Sequence, residues 1–361
     1  MANVILAAGG TGGHIFPALA VAEVLSANGH RVVLYTDKRG EAMVDGKITY
    51  RIISSASPFK AGIIAKCLGL ASLSLGFIQS ASMMLFARPA AVIGFGGYPS
   101  LAPILSGRLF GARCILHEQN AVMGRANRLL GKIAHHIALS FANTKGAPEG
   151  DKITQTGLPV RQAFAAISAY RVQTDKIHIT IIGGSLGAQI FADIIPQAIS
   201  ALPASLKAKL HITQQARDDN ISALKAAYEA QNISYEVARF YHDMPSLYEA
   251  SDIIISRAGA SSVQEIATAG RASLLVPFAG ALDDHQTGNA MSLANAGGAL
   301  VLAEDKADAK AVAALLSTLI EDGTKRAKMA SQAHSIAKQN ASHAIADLAG
   351  LSAPHLSGAM Q

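Results

Sequence analysis

The sequence predicts an α/β chain made of two Rossmann-like, doubly wound parallel-sheet domains facing a central cleft. Apolar β-type runs alternate with helix-type runs along the chain, the rhythm of a parallel sheet wrapped by helices. Two glycine-rich turns of similar design lie roughly half a chain apart, each straight after an apolar run. They are Gly9-Gly10-Thr11-Gly12-Gly13-His14, after residues 4–8, and Gly183-Gly184-Ser185-Leu186-Gly187-Ala188, after residues 177–182. A strand that turns through glycines into a helix aims unpaired N–H groups and a positive dipole end at one point. Such a point favours phosphate. The length of 361 residues exceeds one ordinary core and suits two domains of roughly 150 to 200 residues each.

The elements follow in order. After the first turn, Leu19, Ala22 and Leu25 space one apolar helix face, with Pro17 early and Asn28-Gly29 as the stop. Strands are expected at 31–35 and 48–53, then a long apolar helix, then a strand at 91–94 running into Gly94-Phe95-Gly96-Gly97-Tyr98-Pro99-Ser100. A short strand at 114–116 leads to His117-Glu118-Gln119-Asn120, with a helix from about Gly124. The segment Thr156-Gly157-Leu158-Pro159-Val160-Arg161 combines turn residues with a basic one, and the βα rhythm restarts beyond it. The boundary is placed there, giving domains at 1–160 and 161–337. The second half reads as strands at 177–182, 210–213, 235–237, 252–256 and 272–276, with helices from about 188, at 218–230 and between the later strands. Polar-punctuated helices close the chain.

Half the residues are apolar and 16% are charged, which excludes a disordered protein. Cys67 and Cys114 lack CxxC spacing, so neither a disulfide framework nor a zinc site is indicated. The start has no basic n-region or long h-region, and a cytoplasmic protein is expected. A formal charge of +6 suits an anionic substrate or lipid; without dense Lys/Arg runs, nucleic acid is not expected. Residues 67–87 carry no formal charge and are long enough to span a bilayer. Gly69, Ser72, Ser74, Gly76, Gln79, Ser80 and Ser82 interrupt them. A helix packed on a sheet is the first expectation, and a membrane-docking face flanked by Lys60, Lys66 and Arg88 is the second.

Several motifs carry chemistry. The first glycine turn lacks the Lys and Ser/Thr of a P-loop and has no GxGxxG register. Asp37 keeps a dinucleotide reading open, since it ends the second strand where a ribose-binding acid is expected. In Ser256-Arg257-Ala258-Gly259-Ala260-Ser261-Ser262-Val263-Gln264-Glu265 a strand end passes through small residues into a helix. Backbone N–H groups there can approach a diphosphate, with Arg257 adding charge. Glu265, expected on the first helical turn, either accepts a ribose diol or complements the helix terminus; spacing leaves the two level. Asp283-Asp284-His285-Gln286 follows a strand end where doubly wound sheets bind ligands, and Gln286 and His285 suit sugar hydroxyls. No metal site is expected, because a DD pair is a poor cage. His14 is the first choice of general base and Glu118 the competitor. His135 and His136 read as structural.

Taken together, residues 9–14, 94–100, 117–120, 157–161, 183–188, 256–265 and 283–286 resemble the MurG family of peptidoglycan N-acetylglucosaminyltransferases, in that family's order. The resemblance implies a GT-B fold whose final helix, 338–361, crosses back onto the first domain. It also implies inverting transfer from UDP-N-acetylglucosamine to lipid I without metal or cofactor, on the cytoplasmic face of the membrane as a peripheral protein. By motif position, Thr11, Gly12, Gly13, Asn120, Arg161, Ser185 and Gln286 are donor contacts, and Glu265 holds the ribose. Tyr241 falls where the family's backbone meets uracil, and Ala260, Ser261 and Ser262 belong to the diphosphate turn. Gly96, Gly97 and Tyr98 lie on the acceptor side. Two departures stand out: Leu158 where relatives often carry Asn, and Leu186 where they often carry Gln.

Overall fold

The computed structural model describes residues 1–44, 46, 48–57, 62–184 and 187–352. The chain divides into two units, Met1–Arg161 with Lys338–Gln361, and Gln162–Ala337. In the first, β1 (Asn3–Ala7), α1 (Gly12–Ala27), β2 (Arg31–Thr36), α2 (Lys38–Val44), β3 (Tyr50–Ile52) and α3 (Ile63–Ala87) follow in order. Then come β4 (Ala91–Gly94), α4 (Leu101–Leu109), β5 (Arg113–Glu118), α5 (Arg125–Leu130), β6 (His136–Leu139) and β7 (Ile153–Gln155). The described strands form one parallel sheet, β3-β2-β1-β4-β5-β6-β7. Its central strands are apolar on both faces because helices cover both. Val4, Leu6 and Ile93 pack with Ile15 and Leu25 on one side, while Ile5 and Val92 pack with Ile104 and Met84 on the other.

The second unit runs through α6 (Gln162–Ala165), β8 (Ile177–Ile182), α7 (Gln189–Ser200), α8 (Ala204–Lys207), β9 (Leu210–Gln215), α9 (Asp218–Glu229) and β10 (Ser234–Ala238). It continues through α10 (Met244–Ala250), β11 (Ile253–Ser256), α11 (Ala260–Ala269), β12 (Ala272–Leu275), α12 (His285–Asn295), β13 (Ala299–Val301), α13 (Ala309–Glu321) and α14 (Gly323–Ser335). Its described sheet is also parallel, β10-β9-β8-β11-β12-β13. Ile177, Ile179 and Ile181 set the core with Ile253, Ile255, Leu274 and Leu316. Buried Arg326 donates to the carbonyls of Leu319, Ile320 and Gln173 and to the Tyr170 hydroxyl, tying α14 to the segment before β8. The last helix, α15 (Ala341–Leu348), returns to the first unit, where Ile345 and Ala346 join the core. Asn28 Nδ2 donates to Leu351 O at 3.3 Å.

In both sheets the strand order reverses beside the first strand, at β1/β4 and at β8/β11. Crevices at the carboxyl ends of such strands are where doubly wound sheets hold ligands. The glycine turns follow β1 and β8, so each sits at a reversal.

Several local expectations are corrected. The expected strand at 48–53 shrinks to β3, and the one at 114–116 lengthens to β5. Short β6, β7 and β13 were not read from the sequence; three or four residues leave too little periodicity. The expectation of a sheet-covering helix at 67–87 gives way to α3, which rests largely on α4. Its buried residues are Gly69, Gly76, Ser80 and Met84, while Ile63, Ile64, Leu68, Leu70, Ile78 and Phe86 are exposed. At Gly76 a Cβ would stand 2.1 Å from Ser54 O, so only glycine lets the helix approach there. By length and composition α3 is also apolar enough to cross a membrane. Lys60 lies outside the described residues, as do 353–361 of the expected closing helix.

Candidate active site

In the first unit the loops after β1 and β4 meet at the reversal. Gly9 N–H donates to Gly96 O at 3.1 Å, and a Cβ on Gly97 would stand 3.0 Å from Gly9 Cα. Gly96 and Gly97 have φ of 86° and 75°, a region that favours glycine. His14, half-buried in the first turn of α1, lies between these backbones. A Cβ on Gly9 would be 3.2 Å from its Nδ1, and one on Gly96 would be 3.4 Å from its Nε2. Thr11 Oγ1 lies 3.0 Å from His14 Nδ1. Thr11 and Gly13 are exposed and Gly12 is buried, at the helix end where the first N–H groups lack intrahelical acceptors. Ser100 Oγ lies 2.9 and 2.8 Å from the carbonyls of Ala7 and Gly96, holding the two loops together; Tyr98 is half-buried in the same turn.

The loop after β5 is organised from beneath. Glu118 is 2% exposed. Its Oε1 accepts from Asn120 N at 3.0 Å, and its Oε2 accepts from Gly124 N at 2.9 Å and Asn127 Nδ2 at 2.8 Å. Burial pushes its pKa up, against the pull of these hydrogen bonds. A carboxylate so occupied is a loop anchor, and the expectation of Glu118 as competing base is corrected on that geometry. Gln119 Nε2 donates to Phe95 O at 2.6 Å, and its Oε1 borders Gly96, as His14 does. His117 is fully buried, with Nε2 3.0 Å from Gly157 O and no partner for Nδ1 among the described residues. Burial pushes its pKa down to about 4, so it is neutral. Asn120 is half-buried at the loop's end, and the Arg161 guanidinium sits 6.0 Å from the ring centroid of Phe16 on α1. His135 is structural, its Nδ1 accepting from Cys114 N at 2.9 Å.

Asp37 does not serve a ribose. Its Oδ1 accepts from Arg39 N and Gly40 N, and its Oδ2 pairs with the Arg39 guanidinium at 2.7 Å. A Cβ on Gly10 would stand 2.2 Å from Oδ1. The carboxylate is packed against the glycine turn and fully occupied, which removes the sequence argument for a dinucleotide.

In the second unit the turn after β8 requires glycine for close approach: a Cβ on Gly183 would meet Ala188 N at 2.2 Å. Ser185 and Leu186 lie outside the described residues. Beside it, β11 leads through Arg257, Ala258 and Gly259 into α11, starting at buried Ala260 with half-buried Ser261 and Ser262. Ser261 Oγ is buried without a partner among the described residues. Glu265 is the sixth residue of α11, in the second turn and not the first as expected. That depth removes it from the dipole end, whose influence fades within one turn.

Arg257 is engaged by the loop after β12. Its guanidinium donates to Val276 O, Pro277 O and Glu304, and lies 5.6 and 5.3 Å from the ring centroids of Phe191 and Phe278. The expected charge for a diphosphate is instead an anchor for the loop after β12. Glu304, which also accepts from Ala279 N, was invisible as a partner because 47 residues separate it from Arg257. Gln286 Oε1 accepts from Ala258 N at 3.1 Å and Phe278 N at 3.0 Å, joining the β11 and β12 loops. Asn289 Nδ2 adds a bond to Ala258 O, a residue the motif reading passed over. Tyr241 follows β10, its hydroxyl donating to Glu236 O at 3.2 Å.

Two Rossmann-ordered units in one chain, each with a glycine turn at its strand reversal, make up the GT-B fold. The glycosyltransferase family 28 N-terminal domain model matches residues 4–139, and the glycosyltransferase family 28 C-terminal domain model matches residues 178–348. A UDP-N-acetylglucosamine–N-acetylmuramyl-(pentapeptide) pyrophosphoryl-undecaprenol N-acetylglucosamine transferase of Rhodospirillum centenum is 40% identical, covering 96% of this chain and 93% of its own. The Paramagnetospirillum magneticum protein of the same name is 40% identical, covering 99% and 98%. The crystal structure of Acinetobacter baumannii MurG superposes with a TM-score of 0.80 at 31% identity, covering 97% of this chain and 99% of that one. The chain belongs to the MurG family. A UDP-N-acetylglucosamine 2-epimerase at 12% identity and TM-score 0.66 shares the fold alone.

Proposed function

We propose that this chain transfers N-acetylglucosamine from UDP-N-acetylglucosamine to the C4 hydroxyl of the muramyl residue of lipid I, with inversion. The observation that carries the reading is a pair of strand reversals of different chemistry. One presents an imidazole among glycine backbones, and the other presents a helix start built of small residues. The first unit takes the acceptor. His14 removes the C4 proton as that oxygen attacks the anomeric carbon, and general-base assistance of this kind contributes about 10²- to 10⁴-fold. The second unit takes the donor. N–H groups of the Gly183 turn and the start of α11 receive the diphosphate, Ser261 and Ser262 line that turn, and Glu265 accepts the ribose hydroxyls. Gln286, with Oε1 engaged by backbone, presents its amide N–H to the sugar. Tyr241 marks the uracil side. In the first unit Asn120, Arg161 and the α1 terminus offer further donor contacts, and Gly96, Gly97 and Tyr98 border the acceptor.

Peripheral contact with the cytoplasmic face of the membrane is part of this proposal. Exposed Leu68, Ile78 and Phe86 on α3 and Leu105, Leu109 and Phe110 on and beside α4 support it. Apolar surface of that extent on adjoining helices suits interfacial insertion. UDP release from UDP-N-acetylglucosamine, measured with and without a lipid I analogue, tests the reaction: strict acceptor dependence is expected. Release without acceptor would favour an epimerase or hydrolase. His14→Ala should chiefly lower kcat and Glu265→Ala chiefly raise the donor KM, and the reverse pattern would overturn both roles.

A further inference from the structure

Thr11, within the first glycine turn, is the N-cap of α1, yet its side chain makes no capping hydrogen bond. Its hydroxyl oxygen lies instead 3.0 Å from His14 Nδ1. The imidazole borders Gly9 on its Nδ1 side and Gly96 on its Nε2 side, where a Cβ would stand 3.2 and 3.4 Å from these nitrogens, so Nδ1 faces the turn. A neutral imidazole carries one proton, and the partner of one nitrogen decides which nitrogen keeps the lone pair. A threonine hydroxyl both accepts and donates. It can therefore receive Nδ1–H and direct its own proton elsewhere. Thr11 is exposed, at a helix terminus that favours an anion.

We propose that Thr11 is a positioning residue that sets the tautomer of His14. Its Oγ1 accepts Nδ1–H, its own O–H is left to solvent, and Nε2 keeps the lone pair. The proton taken from the attacking hydroxyl then ends on Nε2, and the imidazolium retains Nδ1–H on Thr11. This inference rests on the reading of His14 as the base, and it replaces donor contact as the main role of Thr11.

The test uses the full chain with ¹⁵N-labelled histidine, the His14 signals being identified by their loss in His14→Gln. In the wild type Nδ1 is expected to be protonated and Nε2 bare at pH 8. Thr11→Val, close in shape but without the hydroxyl, should move the ring towards the Nε2–H form. It should also lower kcat by about 10- to 100-fold with donor KM within about threefold, whereas Thr11→Ser should restore both signals and rate. A wild-type Nε2–H tautomer, or a Thr11→Val enzyme with unaltered kcat and spectrum, overturns the inference. His14→Gln with wild-type kcat would instead remove the base assignment, and the tautomer spectrum separates the two failures.

Discussion

His117 predicts how stability depends on pH. It is fully buried, and burial lowers its pKa from 6.5 to about 4. An unfolded imidazole takes a proton below about pH 6.5 whereas the folded one resists until about pH 4, so unfolding binds a proton within that window. Stability from this group is complete above the unfolded value and is lost as pH falls toward 4. At about 1.4 kcal/mol per pH unit, the whole difference is worth about 3 kcal/mol, of which about 2 kcal/mol is gone at pH 5. His117→Gln removes the titration while its amide can still donate to Gly157 O, the bond made by Nε2 at 3.0 Å. Urea unfolding followed by far-UV circular dichroism at pH 7.5 and 5.0 compares the two proteins. His135, His136, His178 and His211 also have lowered values, but they titrate in both proteins and cancel in the difference. The wild type should lose about 2 kcal/mol more than the variant between these pH values. Equal losses would refute the buried, neutral state of His117.

Glu118→Ala strands the backbone N–H groups of Asn120 and Gly124 and the side-chain amides of Asn120 and Asn127 and should cost about 3 to 5 kcal/mol, with Glu118→Gln intermediate; calorimetric melting of both variants measures it, and an unchanged Tm for the alanine variant would contradict the anchor role. Gly10→Ala drives a methyl to 2.2 Å from Asp37 Oδ1 and 2.5 Å from Arg39 Cβ. Overpacking of this kind costs about 1 to 3 kcal/mol, readable as a lower urea midpoint. Arg257→Met leaves Glu304 without its cation and frees the loop after β12, so initial rates should show donor KM raised about tenfold with kcat less affected. An unaltered KM would mean that this loop does not shape donor binding. Replacing Leu68 and Ile78 on α3 with Asp should reduce sedimentation with anionic phospholipid vesicles by at least tenfold, and full retention would exclude α3 as the docking face.

Much of the architecture was legible because its signals are local. Strand, glycine turn and helix are neighbours in the chain, so the α/β class and the two Rossmann-like sheets could be read from runs such as Ile177–Ile182 followed by Gly183-Gly184. The order of motifs likewise pointed to the family. Short strands escaped because pairing, not pattern, defines them: β6 exists through its register with β5, Ile115 opposite His136.

By itself the sequence determined which glycine turns form at the strand reversals and which side chains lie near them along the chain. Tertiary structure decided what those side chains are free to do. Glu118 looked available until Asn127 and Gly124 closed on its carboxylate, and Arg257 looked like a phosphate partner until Glu304 and two aromatic rings claimed it. Asp37 was likewise taken by Arg39 and pressed against Gly10. The cause is the same in each case. Backbone turns follow from short-range sterics, whereas the protonation and hydrogen-bond capacity of a polar group depend on burial and on partners that only folding brings near.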